Sequence, residues 1–320
     1  MPHSYDELEW NIYRLGHACD QGKLVFLLGA GINTEYGLPR WSEMLIRLTT
    51  NSGRLHTSQD PLTHEESKSF IDSVIIDPLL QAASLRGAYA SPADWVRALR
   101  QVLAFENNVL DDETKPLGRI AKVVGHQYRK NPEKHIAVLT FNYDNLLKKA
   151  IEREMGDDAD VVASVSTGHE LARVRHRPGI FVYQLHGSLE NEKSEIVLDA
   201  YSYVRILAAP ANHWSWSCMN TFLFQKDAGV MLIGLSLVDP SLRLLLTHAA
   251  EIGMPLSAVF IGDPLDAPVL ESMPKALTAA WMKYDVQHLF DDLLEELSLI
   301  PYHVTDWSEI GELIDRIVNR

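Results

Sequence analysis

Apolar residues along this chain gather into short unbroken blocks separated by long stretches of helical period. Leu24 to Leu28 (LVFLL), His135 to Phe141 (HIAVLTF), Ile180 to Leu185 (IFVYQL), Val230 to Leu235 (VMLIGL) and Ser257 to Gly262 (SAVFIG) have the length and composition of strands buried on both faces. Leu299 to Val304 (LIPYHV) is a further strand-like stretch. Such strands alternating with helices predict an α/β fold: a Rossmann-like parallel sheet of about six strands flanked by helices. Residues 4–20 read as a helix, with Ser4 and Glu7 placed for a capping box and Leu8, Ile12 and Leu15 on one face. It is expected to pack beside the core or form an oligomer contact. Residues 42–133 show helices and loops without a convincing strand. Ser91-Pro92-Ala93-Asp94 opens one helix there, followed by an apolar face of Trp95, Val96, Leu99, Val102 and Leu103. Asn51 to Ser69, polar and holding His56 and His64, reads as a flexible connection. Two amphipathic helices, about 266–280 and 286–297, and a last helix complete the pattern, with Asp291, Asp292, Glu295 and Glu296 on a solvated face. The expected organisation is an N-terminal packing helix over 1–22 and one domain over 23–320, with a helical insertion after the first strand–helix unit at about 42–133.

Composition narrows the function classes. A chain of 320 residues with 46% hydrophobic and 22% charged side chains is an ordinary globular protein. Its net charge of −14 opposes direct nucleic-acid binding and attachment to anionic membranes. Two cysteines, Cys19 and Cys218, neither in a CxxC, are too few for a disulfide framework or a tetrahedral zinc site, so no metal is expected. No apolar run reaches membrane-spanning length and the first residues lack a signal-peptide pattern, which makes the cytoplasm the expected location.

The candidate chemistry lies where the apolar blocks end. Gly29-Ala30-Gly31 follows the first strand and a helical run begins at Ser42, an arrangement that holds phosphates against backbone N–H groups. The spacing excludes a dehydrogenase fingerprint. Thr34 stands where the third glycine belongs, and Thr49, Thr50 and Asn51 stand where an acidic residue belongs. No Gly-Lys-Ser/Thr follows, which excludes an ATP-type loop. The second strand runs into Asn142-Tyr143-Asp144-Asn145, where Asn142 or Asp144 could equally cap the next helix. The third runs into His186-Gly187-Ser188. The fourth ends in Gly234 and Ser236, before Asp239-Pro240 opens a helix, and Asp263 follows the fifth.

Taken together and in order, GAGINTEYGLPRW, TFNYDNLL, the His-Gly pair and the Gly-x-Ser resemble the sirtuin motifs, and the chain is similar to sirtuin-like domains of the bacterial antiphage-defence type. In that manner a short strand at Glu195 to Leu198 is expected ahead of a Tyr-bearing helix. The resemblance implies an NAD pocket formed by Gly29, Ala30, Gly31, Ile32, Asn33, Leu38, Pro39, Trp41, Asp144, Gly234, Ser236 and Asp263, with NAD as substrate. Asn142 would orient water or a ribose hydroxyl, Asp144 would bind the nicotinamide amide, and His186 would be the general base. Asn33 in place of serine and Arg40-Trp41 in place of Asp-Phe depart from the pattern and bear on the loop contacts. Protein-deacylating sirtuins carry a module with four zinc cysteines, which two cysteines cannot build. The implied activity is therefore hydrolysis of the nicotinamide–ribose bond. An enzyme that empties the cell of NAD in abortive antiphage defence, as the resemblance implies, needs control, through a homo-oligomer, a nucleotide signal, or a separately encoded sensor or activator protein. A non-catalytic NAD or ADP-ribose module and a deacylase are the alternatives.

Overall fold

The computed structural model describes residues 5–52, 63–74, 78–104, 110, 112–236, 239–261, 294, 296–297, 299–304 and 306–318. Ser4, His56, Asp263, residues 266–280 and nearly all of 286–297, named above, lie outside the described residues.

Seven strands form one all-parallel sheet: β1 (Leu24–Leu28), β2 (His135–Thr140), β3 (Val162–Val165), β4 (Gly179–Gln184), β5 (Gly229–Ile233), β6 (Leu256–Ile261) and β7 (Leu299–Val304). Their order is β3-β4-β2-β1-β5-β6-β7. The fold class is the expected Rossmann-like one, with one strand more than the six expected. The addition is β3, an edge strand whose VASV sequence carries only two branched apolar residues. Parallel strands covered on both faces need apolar residues at every position, which is why β1 reads as an unbroken apolar run.

Alternate residues of each strand feed two cores. Phe26, Leu28, Ile136, Val138, Ile180, Val182, Met231 and Ile233 face one layer. That layer contains α1 (Tyr5–Asp20), α2 (Trp41–Asn51), α4 (Pro78–Ala88), α5 (Pro92–Val102), α6 (Pro116–Lys130), α7 (Leu146–Met155) and α12 (Trp307–Val318), with α3 (His64–Val74) packed on α2. Val25, Leu27, Ala137, Leu139, Phe181, Tyr183, Val230 and Leu232 face the other layer, formed chiefly by α10 (Trp214–Leu223) and α11 (Pro240–Glu251). Cys19 belongs to the first core and Cys218 to the second, so the sheet separates them and no zinc site can use both.

Three local expectations change. The polar stretch from Asn51 becomes helical at His64, ahead of Ser69, because Thr63 and Glu66 cap the start of α3 through mutual hydrogen bonds of 2.8 Å and 3.3 Å. Between β1 and α2 the chain forms a seven-residue 3₁₀ helix, Ala30–Tyr36, where the small residues Gly29-Ala30-Gly31 lead one to expect only a sharp turn. Glu195 to Leu198 is irregular and forms no strand, since Val197 is held by N–H donation to His186 O and by its own carbonyl, which accepts from Tyr143. Helix α9 (Ala200–Ala208) follows it, opened by Asp199 and Ser202 in a reciprocal capping box.

Candidate functional site

The chain leaves β1 toward β2 and β4, then returns to β5 on the other side of β1, so the strand order reverses at the carboxyl end of β1. Open α/β sheets bind ligands at that point. There the loop after β1 and the end of β5 are in backbone contact. Gly29 N donates to Ile233 O and Gly31 N to Gly234 O, both at 2.9 Å. A Cβ on Gly29 would lie 2.4 Å from Gly234 O, and one on Gly31 2.9 Å from it. Gly234 has φ +66°, the left-handed region that favours glycine, and a Cβ there would meet Ile32 N at 2.5 Å. The three glycines thus first serve the close approach of two loops. Ile32, Leu38 and Pro39 are buried and hold the loop from beneath, and Ala30 is exposed at its surface. Trp41 begins α2, and its Nε1 is buried without a hydrogen-bond partner.

Asn142 and Asp144 follow β2. Asn142 does not cap the next helix and Asp144 does so only in part, through the first N–H of α7, while Asn145, the N-cap residue, makes no side-chain cap bond. Asn142 Nδ2 donates to Gly29 O at 3.1 Å, while its backbone N–H donates to Thr140 Oγ1 at 3.0 Å. These bonds fix the amide plane of a side chain only 8% exposed. Asp144 accepts from Leu146 N at 3.0 Å and from Asn33 Nδ2 at 2.6 Å. Burial raises the Asp144 pKa from 3.8 to about 6, opposed by the hydrogen bonds from Leu146 and Asn33. Gln184, the last residue of β4, supports the same turn by donating to Tyr143 O and Asp144 O.

His186 follows β4 and is reached by the same register, since Thr140 pairs with Gln184 and Leu185 N donates to Thr140 O. Both Asn142 and His186 therefore stand two residues beyond paired strand ends. The imidazole stacks on Phe141 at 4.3 Å between centroids, with 12° between planes. Its Nδ1 faces Tyr203 Oη at 3.4 Å, and Tyr203 Oη donates to Asp239 Oδ2 at 2.6 Å. Nε2 is buried and has no hydrogen-bond partner in the protein. Burial lowers the His186 pKa, opposed by the Asp239 charge, so the ring is neutral at pH 7. An unpartnered buried ring nitrogen costs about 1–3 kcal/mol, the kind of local loss that persists where a ligand is to be met.

The structure thus joins Gly29, Gly31, Asn33, Asn142, Asp144 and Gly234 through direct contacts. Ser236 lies exposed beyond β5, and Asp263 is outside the described residues. Tyr203 and Gln184 were not singled out from the sequence, and Asp239 was read only as a cap. A glutamine closing an otherwise apolar strand is the one signal for Gln184; for Tyr203 the signal is the Tyr-bearing helix that the resemblance leads one to expect, which does not tell Tyr203 from Tyr201.

A seven-strand parallel sheet with polar side chains gathered at the switch point places this protein in the doubly wound α/β class, whose members bind ligands at that edge. Residues 136–289, just under half of the chain, match the family described as SIR2-like domain. The protein thus carries a sirtuin-like domain, a kind of domain that binds NAD. No curated protein matches the chain. The match holds Asn142, Asp144, His186, Gly234 and Ser236 and begins after the Leu24 to Trp41 loop. Three bonds, Asn33 to Asp144, Asn142 to Gly29 and Gly31 to Gly234, nevertheless fasten that loop to the matched segment.

Proposed function

We propose that this protein is an NAD glycohydrolase that cleaves the nicotinamide–ribose bond to give nicotinamide and ADP-ribose. The observation that carries the reading is the neutral, buried His186 with an unpartnered Nε2, set one strand-end from Asn142 in a SIR2-like segment. In the reaction a water oxygen bonds to C1′ of the ribose as the C1′–N bond breaks. Both electrons of that bond go to the pyridinium nitrogen, which becomes neutral, and the water's proton goes to His186 Nε2 and then to solvent. Asn142, held by Gly29 O, orients the water or a ribose hydroxyl. Asp144, as carboxylate, accepts from the nicotinamide amide, and Asn33 keeps it in place. The loop Gly29, Ala30, Gly31, with Ile32, Leu38 and Pro39 beneath it and Trp41 beyond, holds the pyrophosphate, while Gly234, Ser236 and Asp263 meet the adenosine half.

The separation of Cys19 and Cys218 by the sheet weighs against a deacylase with a zinc module. His186 is 3% exposed, which supports an enzyme held latent until a partner, a nucleotide signal or assembly opens the site. On the resemblance to defence-type sirtuin-like domains, the role assigned is the NAD-depleting effector of a bacterial antiphage system.

The test is chromatography of nicotinamide and ADP-ribose after incubation with NAD, with and without lysate of infected cells. Asn142→Ala and His186→Ala are each expected to lower turnover by about 10² or more while leaving the fold intact. Wild-type protein that binds NAD and yields no nicotinamide under any of these conditions would move the assignment to a non-catalytic NAD-binding module.

A further inference from the structure

The hydrogen bonds behind His186 contain more information than the position of the ring. Asp239 is the N-cap of α11, and its Oδ1 accepts from Ser241 N at 2.8 Å and Leu242 N at 3.0 Å. Its Oδ2 accepts from Tyr203 Oη at 2.6 Å. All three partners are donors, so Asp239 acts only as an acceptor and the single hydroxyl proton of Tyr203 is directed at it. Tyr203 is 3% exposed, and burial and the neighbouring Asp239 raise its pKa well above the usual 10, which keeps that proton on the phenol. Toward His186 the phenol oxygen then has only a lone pair to offer. The facing nitrogen, Nδ1 at 3.4 Å, must carry hydrogen to complete the contact.

We propose that Asp239 and Tyr203 form a relay that sets the tautomer of His186, fixing hydrogen on Nδ1 and leaving the lone pair on the buried, unpartnered Nε2. The proposal rests on the glycohydrolase reading for its catalytic meaning, but the proton arrangement itself does not. Tyr203 and Asp239 are positioning residues, acting through His186. When Nε2 takes the proton of the attacking water, the imidazolium that forms retains its Nδ1–H bond to Tyr203. Asp239 stabilises the new positive charge through the phenol, in the manner of an acid–histidine pair with one hydroxyl interposed.

The relay makes a counter-intuitive prediction for Asp239→Asn. Asparagine caps a helix as well as aspartate does, so α11 is expected to remain intact. If Oδ1 keeps the two cap bonds, the new Nδ2 faces Tyr203 as a donor. The phenol must then accept from it and turn its proton to His186 Nδ1. The imidazole is driven to the Nε2–H form, and the base is lost without loss of any heavy-atom contact.

Long-range proton–nitrogen NMR on protein labelled at histidine, with His186→Ala for assignment, reads the tautomer directly. Wild type is expected to show the Nδ1–H form, Asp239→Asn the Nε2–H form, and Tyr203→Phe a mixture. In the NAD assay Asp239→Asn should lose kcat by about 10²- to 10⁴-fold and Tyr203→Phe by less, each with KM within about twofold. An Nε2–H tautomer in wild type, an unchanged tautomer in Asp239→Asn, or wild-type kcat in Tyr203→Phe overturns the relay. If the tautomers follow the prediction and wild type never releases nicotinamide, the hydrolase reading falls and the relay stands as the device that orients His186.

Discussion

At the scale of single residues, Asp144 offers the sharpest electrostatic prediction. Its pKa is raised from 3.8 to about 6, first by burial, so the folded protein prefers the neutral acid. Between those two values the folded state binds more protons than the unfolded one, and stability therefore falls as pH rises through the window. The favourable contribution is full below pH 3.8 and gone above about 6. Relative to Asp144→Asn, which cannot titrate, wild type should lose up to about 3 kcal/mol between pH 4 and pH 7. Urea unfolding of both proteins across that range checks it; parallel curves would mean that Asp144 ionises without hindrance. The same ionisation governs the proposed contact with the nicotinamide amide, which needs the carboxylate, so turnover should decline as pH drops below about 6. In the proposed reaction that charge binds the nicotinamide amide, so the cost of ionising Asp144 would exchange stability for function.

At the scale of elements, an ion pair helps tie the helices between β1 and β2 to the site. Arg86 on α4 meets Asp199 at 2.6 Å, and Asp199 is 1% exposed, where it also caps α9, the helix that carries Tyr203. Arg86 is 38% exposed, so solvent screens its share of the pair. Arg86→Ala is expected to cost about 1–2 kcal/mol in chemical denaturation, less than a fully buried pair would. Loss of less than about 0.3 kcal/mol would show that the ion pair adds nothing to the other bonds that hold these helices, such as Arg100 Nε to Leu189 O. The elements differ in how far the sequence disclosed them, and the reason is physical. β1, β2, β4, β5 and β6 are central strands covered on both faces, and their apolar runs stood out within a residue or two of their ends. β3 is a short edge strand with Ala163 and Ser164 at its centre, and its pairing with β4 comes from tertiary contact rather than local pattern. The 3₁₀ turn over Ala30–Tyr36 was also hidden, because it depends on Gly234 backbone arriving from over two hundred residues away. Among the candidate residues, the motif string drew attention to Asn142, Asp144 and His186. Their fastening by Gln184, Tyr203 and Asp239 is made of long-range hydrogen bonds that no spacing in the sequence records.

At the scale of the whole molecule, the loop after β1 and the ends of β2, β4 and β5 come from segments scattered between residues 24 and 236, yet they meet along one edge of the sheet. A ligand seated across that edge joins strands on both sides of the switch point, so its binding free energy becomes resistance to global unfolding. A non-hydrolysable NAD analogue, with the ribose ring oxygen replaced by carbon, isolates this effect from turnover. At one hundred times its Kd such a ligand adds about 2.7 kcal/mol to the folded state, because it binds the native protein alone. Wild type and Asn142→Ala should both gain melting temperature with the analogue, since Asn142 is assigned to the chemical step. Asp144→Ala should gain less, since Asp144 is assigned to the nicotinamide end. Duplex DNA serves as the anionic control: a chain of net charge −14 should gain nothing from it, even at low salt where phosphate attraction is strongest. An analogue that leaves wild type unshifted at millimolar concentration would remove NAD from the switch point of the untriggered protein. Equal shifts in wild type and Asp144→Ala would leave the cofactor there with its nicotinamide end directed elsewhere.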